Sequence, residues 1–125
     1  MTKQILYIED NSDSRTLVRR VLQSEGYVVR EAPDGRTGLQ MAAEQRPDLV
    51  LMDINLPEVD GYEVTARLKQ LAGMSQVPVI AVTANVMKGD REKTLAAGCD
   101  GYIQKPIDID TLSNQIEHFL TRNNS

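Results

Sequence analysis

Five short apolar runs, separated by segments with helical spacing, constrain the fold of this chain more than any other feature. The runs cover residues 5–8, 27–29, 49–52, 79–82 and 101–103. Their apolar residues are continuous instead of alternating with polar ones, which is typical of strands buried on both faces of a parallel sheet. We therefore predict five strands in one sheet.

The segments between the runs carry apolar stripes at helical spacing. The stripes are Leu17, Val18, Val21 and Leu22; Leu39, Ala42 and Ala43; Val64, Leu68 and Leu71; a segment around 87–97 that ends at Gly98; and Ile109, Leu112, Ile116, Phe119 and Leu120. Gly26 is a stop signal after the first stripe, and Asp34 with Gly35 is a start signal before the second. This alternation predicts an open α/β sheet with right-handed crossovers and helices on both faces.

The composition is that of a globular protein and argues against several classes of function. The 125 residues are 41% hydrophobic and 26% charged, so we predict one domain over 1–125, with a core at about 3–120 and a polar tail at 121–125. The formal net charge of -4 is a poor match to a phosphate backbone, so we expect no nucleic-acid binding. A lone cysteine, Cys99, and the lack of a signal peptide or long apolar run predict a cytoplasmic protein with no membrane contact.

Polar side chains follow four of the five runs. Glu9 and Asp10 follow the first run, Asp53 the third, Thr83 the fourth and Lys105 the fifth. In open parallel sheets, ligands bind beyond the carboxyl ends of the strands, where the strand order reverses. We therefore expect all five side chains at one edge of the sheet.

This set of side chains favours magnesium-dependent phosphoryl chemistry. Three adjacent carboxylates repel one another unless a cation neutralises them, and Mg²⁺ prefers oxygen ligands. A carboxylate such as Asp53 can then attack phosphorus and form an aspartyl phosphate. Lys105 and the metal would neutralise charge on the phosphoryl oxygens, and the Thr83 hydroxyl would donate a hydrogen bond to one of them.

Each of these residues, taken alone, has a simpler interpretation. A lone Asp53 is more often a turn or cap residue, Thr83 a strand residue and Lys105 a solvated lysine. Three residues could cap the first helix: Asp10, Ser12 or Asp13. The chemical interpretation depends on the joint occurrence of the set, in this order, at the ends of different runs.

The chain resembles the receiver domain of bacterial two-component response regulators over about residues 3–120. The matching stretches are Ile8-Glu9-Asp10-Asn11, 47–57, Asp60-Gly61, Val82-Thr83-Ala84 and 101–106. The run 87–90 is similar to stand-alone DivK-type regulators and to the receivers of hybrid kinases. The resemblance implies a CheY-like, flavodoxin-like (βα)5 fold, doubly wound, with a five-stranded parallel sheet in the order 2-1-3-4-5.

The resemblance also implies roles for the site residues. Asp53 would be the phosphoacceptor of a signalling switch that catalyses only its own phosphorylation and slow dephosphorylation. Mg²⁺, or Mn²⁺ in its place, would be held by Asp10 directly, by Glu9 partly through water, by Asp53 and by the backbone carbonyl of Asn55. Thr83 and Lys105 would contact the phosphoryl group.

A conformational switch and a set of partners follow from the same resemblance. A cis peptide bond is expected between Lys105 and Pro106. Tyr102 would move inward when Thr83 is drawn to the phosphoryl group, which changes the face formed by the fourth helix, fifth strand and fifth helix. The donor would be a histidine kinase or a histidine phosphotransfer protein that docks on the first helix, near Arg19 and Arg20. A downstream protein would read the switch, and the chain would be a monomer or a weak phosphorylation-dependent dimer.

The remaining interpretations are less specific. The resemblance implies that Asn55 and Asn85 occupy the positions that tune phosphoryl lifetime. His118 is expected at the surface or rim and Cys99 in packing. Four methionines are expected in the core or at an interface: Met41, Met52, Met74 and Met87.

Three other functions remain open on the sequence. A flavodoxin would share the sheet order, but flavodoxins hold a phosphate group on the loop after the first strand. In this chain that loop begins with Glu9 and Asp10, which would repel phosphate in the absence of a cation. A phosphatase of the haloacid-dehalogenase type needs a second Asp two residues after the nucleophile, where this chain has Asn55. A receiver-like interaction module that takes no phosphate would not need the complete set of site residues.

Overall fold

A computed structural model of the chain describes residues 2–54, 60–84 and 88–122. Five strands alternate with five helices within these ranges. In chain order the elements are β1 (Gln4–Ile8), α1 (Ser12–Ser24), β2 (Val28–Ala32), α2 (Gly35–Glu44), β3 (Leu49–Asp53), α3 (Gly61–Gln70), β4 (Val79–Thr83), α4 (Lys88–Ala96), β5 (Gly101–Gln104) and α5 (Leu112–Arg122).

The five strands form one parallel sheet in the order β2-β1-β3-β4-β5, which confirms the predicted fold. The order reverses at β1, because the chain adds β2 on one side of β1 and β3 on the other. At this point Ile8 lies beside Met52, and Asp53 lies beside Val82. The residues that follow β1 and those that end β3 are therefore neighbours at the carboxyl edge.

Two apolar layers cover the two faces of the sheet. Val18 and Leu22 of α1 pack with Ile116 of α5 on one face, together with alternate residues of the strands. Val64 and Leu68 of α3 pack on the other face, together with residues of α2 and the remaining strand positions. Both faces of the central strands are therefore buried, as the continuous apolar runs predict.

Side-chain caps fix where the first three helices begin. Asn11 accepts a hydrogen bond from the Ser14 amide, Asp34 from the Thr37 amide and Asp60 from the Tyr62 amide. Asp34 is thus the predicted start of α2. The suggested caps of α1 were wrong, because Asn11 takes that position and leaves the Asp10 side chain for other contacts.

Three apolar residues are more exposed than the sequence patterns predict. Leu17 of α1 is 48% exposed, and Val28 is 44% exposed because β2 lies at the edge of the sheet. Ile109 is 42% exposed and precedes α5, contrary to its place in the predicted stripe. A turn at Asp108, whose carboxylate accepts a hydrogen bond from the Asp110 amide, delays the start of that helix.

A glycine allows α2 to approach the end of β1 closely. A Cβ atom on Gly38 would overlap the side chain of Ile8, which is fully buried. Because Ile8 directly precedes Glu9, this close approach packs α2 against the carboxyl end of β1.

Candidate functional site

Three carboxylates meet at the carboxyl edge of the sheet. Glu9, Asp10 and Asp53 each offer an oxygen, and these oxygens lie within 4.8 Å of one another. Glu9 is 1% exposed and Asp53 is 2% exposed, whereas Asp10 faces solvent. The reversal of strand order between β1 and β3 produces this cluster, because the two strand ends are adjacent.

The ammonium group of Lys105 is in direct contact with two of these carboxylates. Its Nζ lies 2.9 Å from Glu9 Oε1 and 3.4 Å from Asp53 Oδ2. Partial burial lowers the pKa of Lys105, but its hydrogen bond to Glu9 and the charge of Asp53 outweigh this effect, so that the pKa is raised overall. The amine is therefore charged when it bridges the two acids.

Lys105 directly follows β5, at the same edge of the sheet as the cluster. The peptide bond between Lys105 and Pro106 is cis. The Lys105 amide donates a hydrogen bond of 2.8 Å to the carbonyl of Thr83, which ends β4. Thr83 is buried, one strand away from Asp53, so the sheet brings all five predicted side chains to one edge.

Two residues that sequence reasoning missed also hold Glu9. The Tyr7 hydroxyl donates a hydrogen bond of 3.2 Å to Glu9 Oε1, and Arg15 Nη1 donates one of 2.7 Å to the Glu9 carbonyl. Burial, followed by the nearby charge of Glu9, raises the pKa of Tyr7 well above its usual value. Tyr7 reads as an ordinary core residue in the sequence, and only its position two residues before Glu9 indicates this contact.

The donor set fits a hard divalent cation. Every candidate ligand atom in the cluster is a carboxylate oxygen, and the Lys105 ammonium pairs with two of the three acids. Burying two carboxylates this deeply is costly unless positive charge lies close to them. Mg²⁺ matches both the chemistry and the charge of the site.

Beyond the cluster, the structure describes most of the remaining predicted residues. Tyr102 is partly buried, packs on the α2–α3 side of the sheet, and lines a groove of about 390 Å³ together with Asn114 and His118 of α5. His118 is exposed, as predicted. Cys99 is buried, and burial raises the pKa of its thiol to about 11.

The predictions for the methionines and asparagines have different outcomes. Met52 and Met74 are fully buried and Met41 packs against the core, as expected. Three residues lie outside the described ranges: Asn55, Asn85 and Met87.

The sequence comparisons identify the family. Residues 5–117 match the model of the response regulator receiver domain. The chain belongs to the response-regulator receiver family. It is 43% identical over 120 residues to the polar-differentiation response regulator DivK of Brucella ovis. The aligned residues cover 96% of this chain and 98% of that protein. DivK of Brucella abortus matches with the same identity and coverage.

Solved receiver structures have the same fold. The chemotaxis protein CheY4 of Vibrio cholerae superposes with a TM-score of 0.92 at 26% identity, covering 95% of this chain and 99% of that chain. The receiver domain of a sensor histidine kinase from Pseudomonas aeruginosa superposes with a TM-score of 0.88 at 36% identity, covering 97% and 99%. That receiver has a magnesium ion coordinated in its active-site cleft.

Family membership makes the chain a DivK-like response regulator of the phosphoacceptor class of signalling switches. Among the residues that the structure describes, no helix combines the length and the apolar character that a membrane span requires.

Proposed function

We propose that this response regulator is a single-domain switch that accepts a phosphoryl group on Asp53 from a histidine kinase or a histidine phosphotransfer protein. The observation that carries the proposal is the buried Asp53 carboxylate within a cluster of three acids, with the Lys105 ammonium 3.4 Å from its Oδ2. An Asp53 oxygen would form a new bond to phosphorus while the bond from phosphorus to the donor nitrogen breaks.

In this proposal Glu9, Asp10 and Asp53 hold Mg²⁺, together with the backbone carbonyl of Asn55, which lies outside the described residues. When bound, the metal supplies positive charge that offsets the charge of the incoming phosphoryl group. Glu9 and Asp53 are held by buried backbone at two adjacent strand ends, so their geometry exists before the donor arrives.

Lys105 balances charge both before and during the transfer. Without a phosphoryl group its ammonium bridges Glu9 and Asp53. As negative charge builds on the phosphoryl oxygens, the lysine moves the short distance from Glu9 toward those oxygens. The Thr83 hydroxyl, from the end of β4, donates a hydrogen bond to another oxygen.

The proposed output is the face formed by α4, β5 and α5. Movement of Thr83 toward the phosphoryl group opens space for the Tyr102 ring, which already borders a groove against α5. A coupling free energy of about 1–3 kcal/mol is enough to change the affinity of a protein partner roughly 5- to 150-fold.

The donor would dock beside the acidic cluster on an apolar groove of about 450 Å³. The groove is lined by α1 and by the segment after β5, including Leu17, Val18, Pro106 and Ile107. Leu17 is the exposed apolar residue of α1, and Lys105 lies at the border between this groove and Asp53. A helix that carries the donor histidine fits this apolar groove. The proposed protein partners of the switch suggest a cytoplasmic location for the chain.

The proposal is tested by incubating the protein with acetyl phosphate, with and without Mg²⁺, and measuring the intact mass. We expect the wild type and an Asp110→Asn control, which changes an exposed acid, to gain one phosphoryl group when Mg²⁺ is present. Asp53→Asn should gain none. A wild-type protein that gains no phosphoryl group, or an Asp53→Asn variant that still gains one, would contradict the proposal.

A further inference from the structure

Tyr7 is a core residue whose hydroxyl group forms a hydrogen bond with the acidic cluster. The side chain is fully buried in the layer between the sheet and helices α1 and α5. The strand residues around it in this layer are aliphatic, including Ile5, Leu51 and Val82. Packing alone would be satisfied by an apolar side chain here. The hydroxyl needs a separate explanation, because a buried hydroxyl without a partner is costly.

The partner of this hydroxyl is the same oxygen that Lys105 contacts. Glu9 Oε1 accepts a hydrogen bond of 3.2 Å from the Tyr7 hydroxyl and one of 2.9 Å from Lys105 Nζ. Glu9 follows Tyr7 by two residues, so both side chains lie on the same side of the strand. The Glu9 backbone is held as well, because its carbonyl accepts a hydrogen bond from Arg15 and its amide donates one to Ala32.

The two donors to Glu9 Oε1 differ in what they can do during phosphoryl transfer. Lys105 has a flexible side chain that is 28% exposed. The proposed function requires its ammonium group to turn toward the phosphoryl group. The Tyr7 side chain is fully buried, although it borders the apolar groove beside α1, and its rigid ring keeps the hydroxyl in place. Once Lys105 leaves, the Tyr7 hydroxyl remains to hold Oε1.

We infer that Tyr7 is a positioning residue: its hydroxyl holds the Glu9 carboxylate in the orientation in which Glu9 serves the Mg²⁺ site. The inference rests on the proposed function for the movement of Lys105, whereas the contact between Tyr7 and Glu9 is independent of it. Hydrogen bonds to metal-binding carboxylates orient the ligand, and their loss typically costs about 10- to 100-fold in metal affinity.

The test compares Mg²⁺ binding to the wild type, Tyr7→Phe and Tyr27→Phe by calorimetry, beside thermal unfolding of each metal-free protein. Tyr7→Phe keeps the buried ring and removes only the hydroxyl. Tyr27 lies between α1 and β2, outside the cluster, and provides a matched control. We expect Tyr7→Phe to raise the Mg²⁺ dissociation constant about 10-fold, with the control within about twofold of wild type. The concentration of Mg²⁺ that gives half-maximal phosphorylation should rise in parallel, whereas the maximal rate at saturating Mg²⁺ should change little.

A second background distinguishes positioning from a general effect on the core. Glu9→Asp shortens the side chain and withdraws the carboxylate from the Tyr7 hydroxyl. In this background Tyr7→Phe should change Mg²⁺ affinity less than about twofold, because the coupling between the two residues is already lost. An equal loss of affinity in both backgrounds would overturn the inference.

Other outcomes also decide the question. Unchanged Mg²⁺ affinity in Tyr7→Phe, with or without a lower melting temperature, would mean that the hydroxyl has only a structural role. If Tyr7→Phe does not fold, ¹³Cζ-tyrosine labelling of the wild type gives the answer. Added Mg²⁺ should then shift the Tyr7 resonance and leave that of Tyr27 in place, and an unmoved Tyr7 resonance would refute the inference. A wild type that binds Mg²⁺ but takes no phosphoryl group would contradict the proposed function and leave the positioning of Glu9 standing.

Discussion

Replacing Lys105 with methionine should destabilise the metal-free protein by about 2–3 kcal/mol. The substitution keeps much of the aliphatic stem and removes the charge that lies 2.9 Å from Glu9 and 3.4 Å from Asp53. Both carboxylates are at least 98% buried, so neither recovers full hydration when the ammonium is lost.

The magnitude follows from the burial of the two acids. Coulomb's law with an effective dielectric constant of about 20 gives roughly 6 kcal/mol for the contact between Lys105 and Glu9, before the desolvation cost is subtracted. Breaking a buried ion pair by removing one partner typically costs about 3–5 kcal/mol. Because the lysine side chain is 28% exposed, solvent screens part of the interaction. We therefore expect a cost of about 2–3 kcal/mol, below the typical cost of breaking a fully buried pair.

The assay is urea unfolding of the wild type, Lys105→Met and Arg67→Met in EDTA and again in excess Mg²⁺. Arg67 is a matched control, because its contact with Glu63 has nearly the same length, 2.8 Å, but lies between side chains that are 61% and 54% exposed. Its removal should cost less than about 1 kcal/mol in either buffer. Mg²⁺ should stabilise Lys105→Met more than the wild type, because the added charge replaces the missing ammonium.

Two results would refute this reasoning. A Lys105→Met protein as stable as the wild type in EDTA would mean that the acids do not need the lysine. A loss of stability that Mg²⁺ does not reduce would mean that the variant fails for a reason other than charge.

Three further predictions follow from the packing of the fold. Burial raises the pKa of the Cys99 thiol from 9.0 to about 11 in the folded protein. The contribution of the neutral thiol to the free energy of unfolding is therefore complete below pH 9 and is lost as the pH rises to 11. Over this range the wild type should lose roughly 2–3 kcal/mol more than Cys99→Ala in urea unfolding, and parallel losses would contradict the shift. Gly38→Ala should lower the free energy of unfolding by about 1–3 kcal/mol, because the new Cβ overlaps Ile8. Adding Ile8→Val should recover part of this loss in the same assay, and no recovery would exclude the clash as the cause. Asn11→Ala should lower the free energy of unfolding by about 1 kcal/mol and Asp13→Ala by less, and equal losses would argue against Asn11 as the cap.

The sequence predicts the sheet well because burial on both faces leaves a direct signal. Continuous apolar runs mark β1, β3 and β4, and the polar residues after them lie where parallel strands must end together. Asp53 and Thr83 reach the carboxyl edge through this geometry alone, before any family resemblance is considered.

Other features depend on contacts between distant parts of the chain, which no local pattern reports. Leu17 has the spacing of a core residue, yet it lies at the open side of α1, next to the apolar groove. Ile109 fits the stripe of α5, but a local hydrogen bond to Asp108 favours a turn. The hydroxyl of Tyr7 meets Glu9 inside the fold, and an apolar run cannot reveal which of its members carries a polar contact.

Phosphoryl acceptance on Asp53 is tested most directly by identifying the residue that carries the phosphoryl group. After incubation with acetyl phosphate and Mg²⁺, borohydride reduces an aspartyl phosphate to homoserine, and peptide mass spectrometry then locates the change. We predict homoserine at position 53 and at no other position. Reduction at another carboxylate, such as Asp10, or no reduction in a protein that has gained a phosphoryl group, would contradict it.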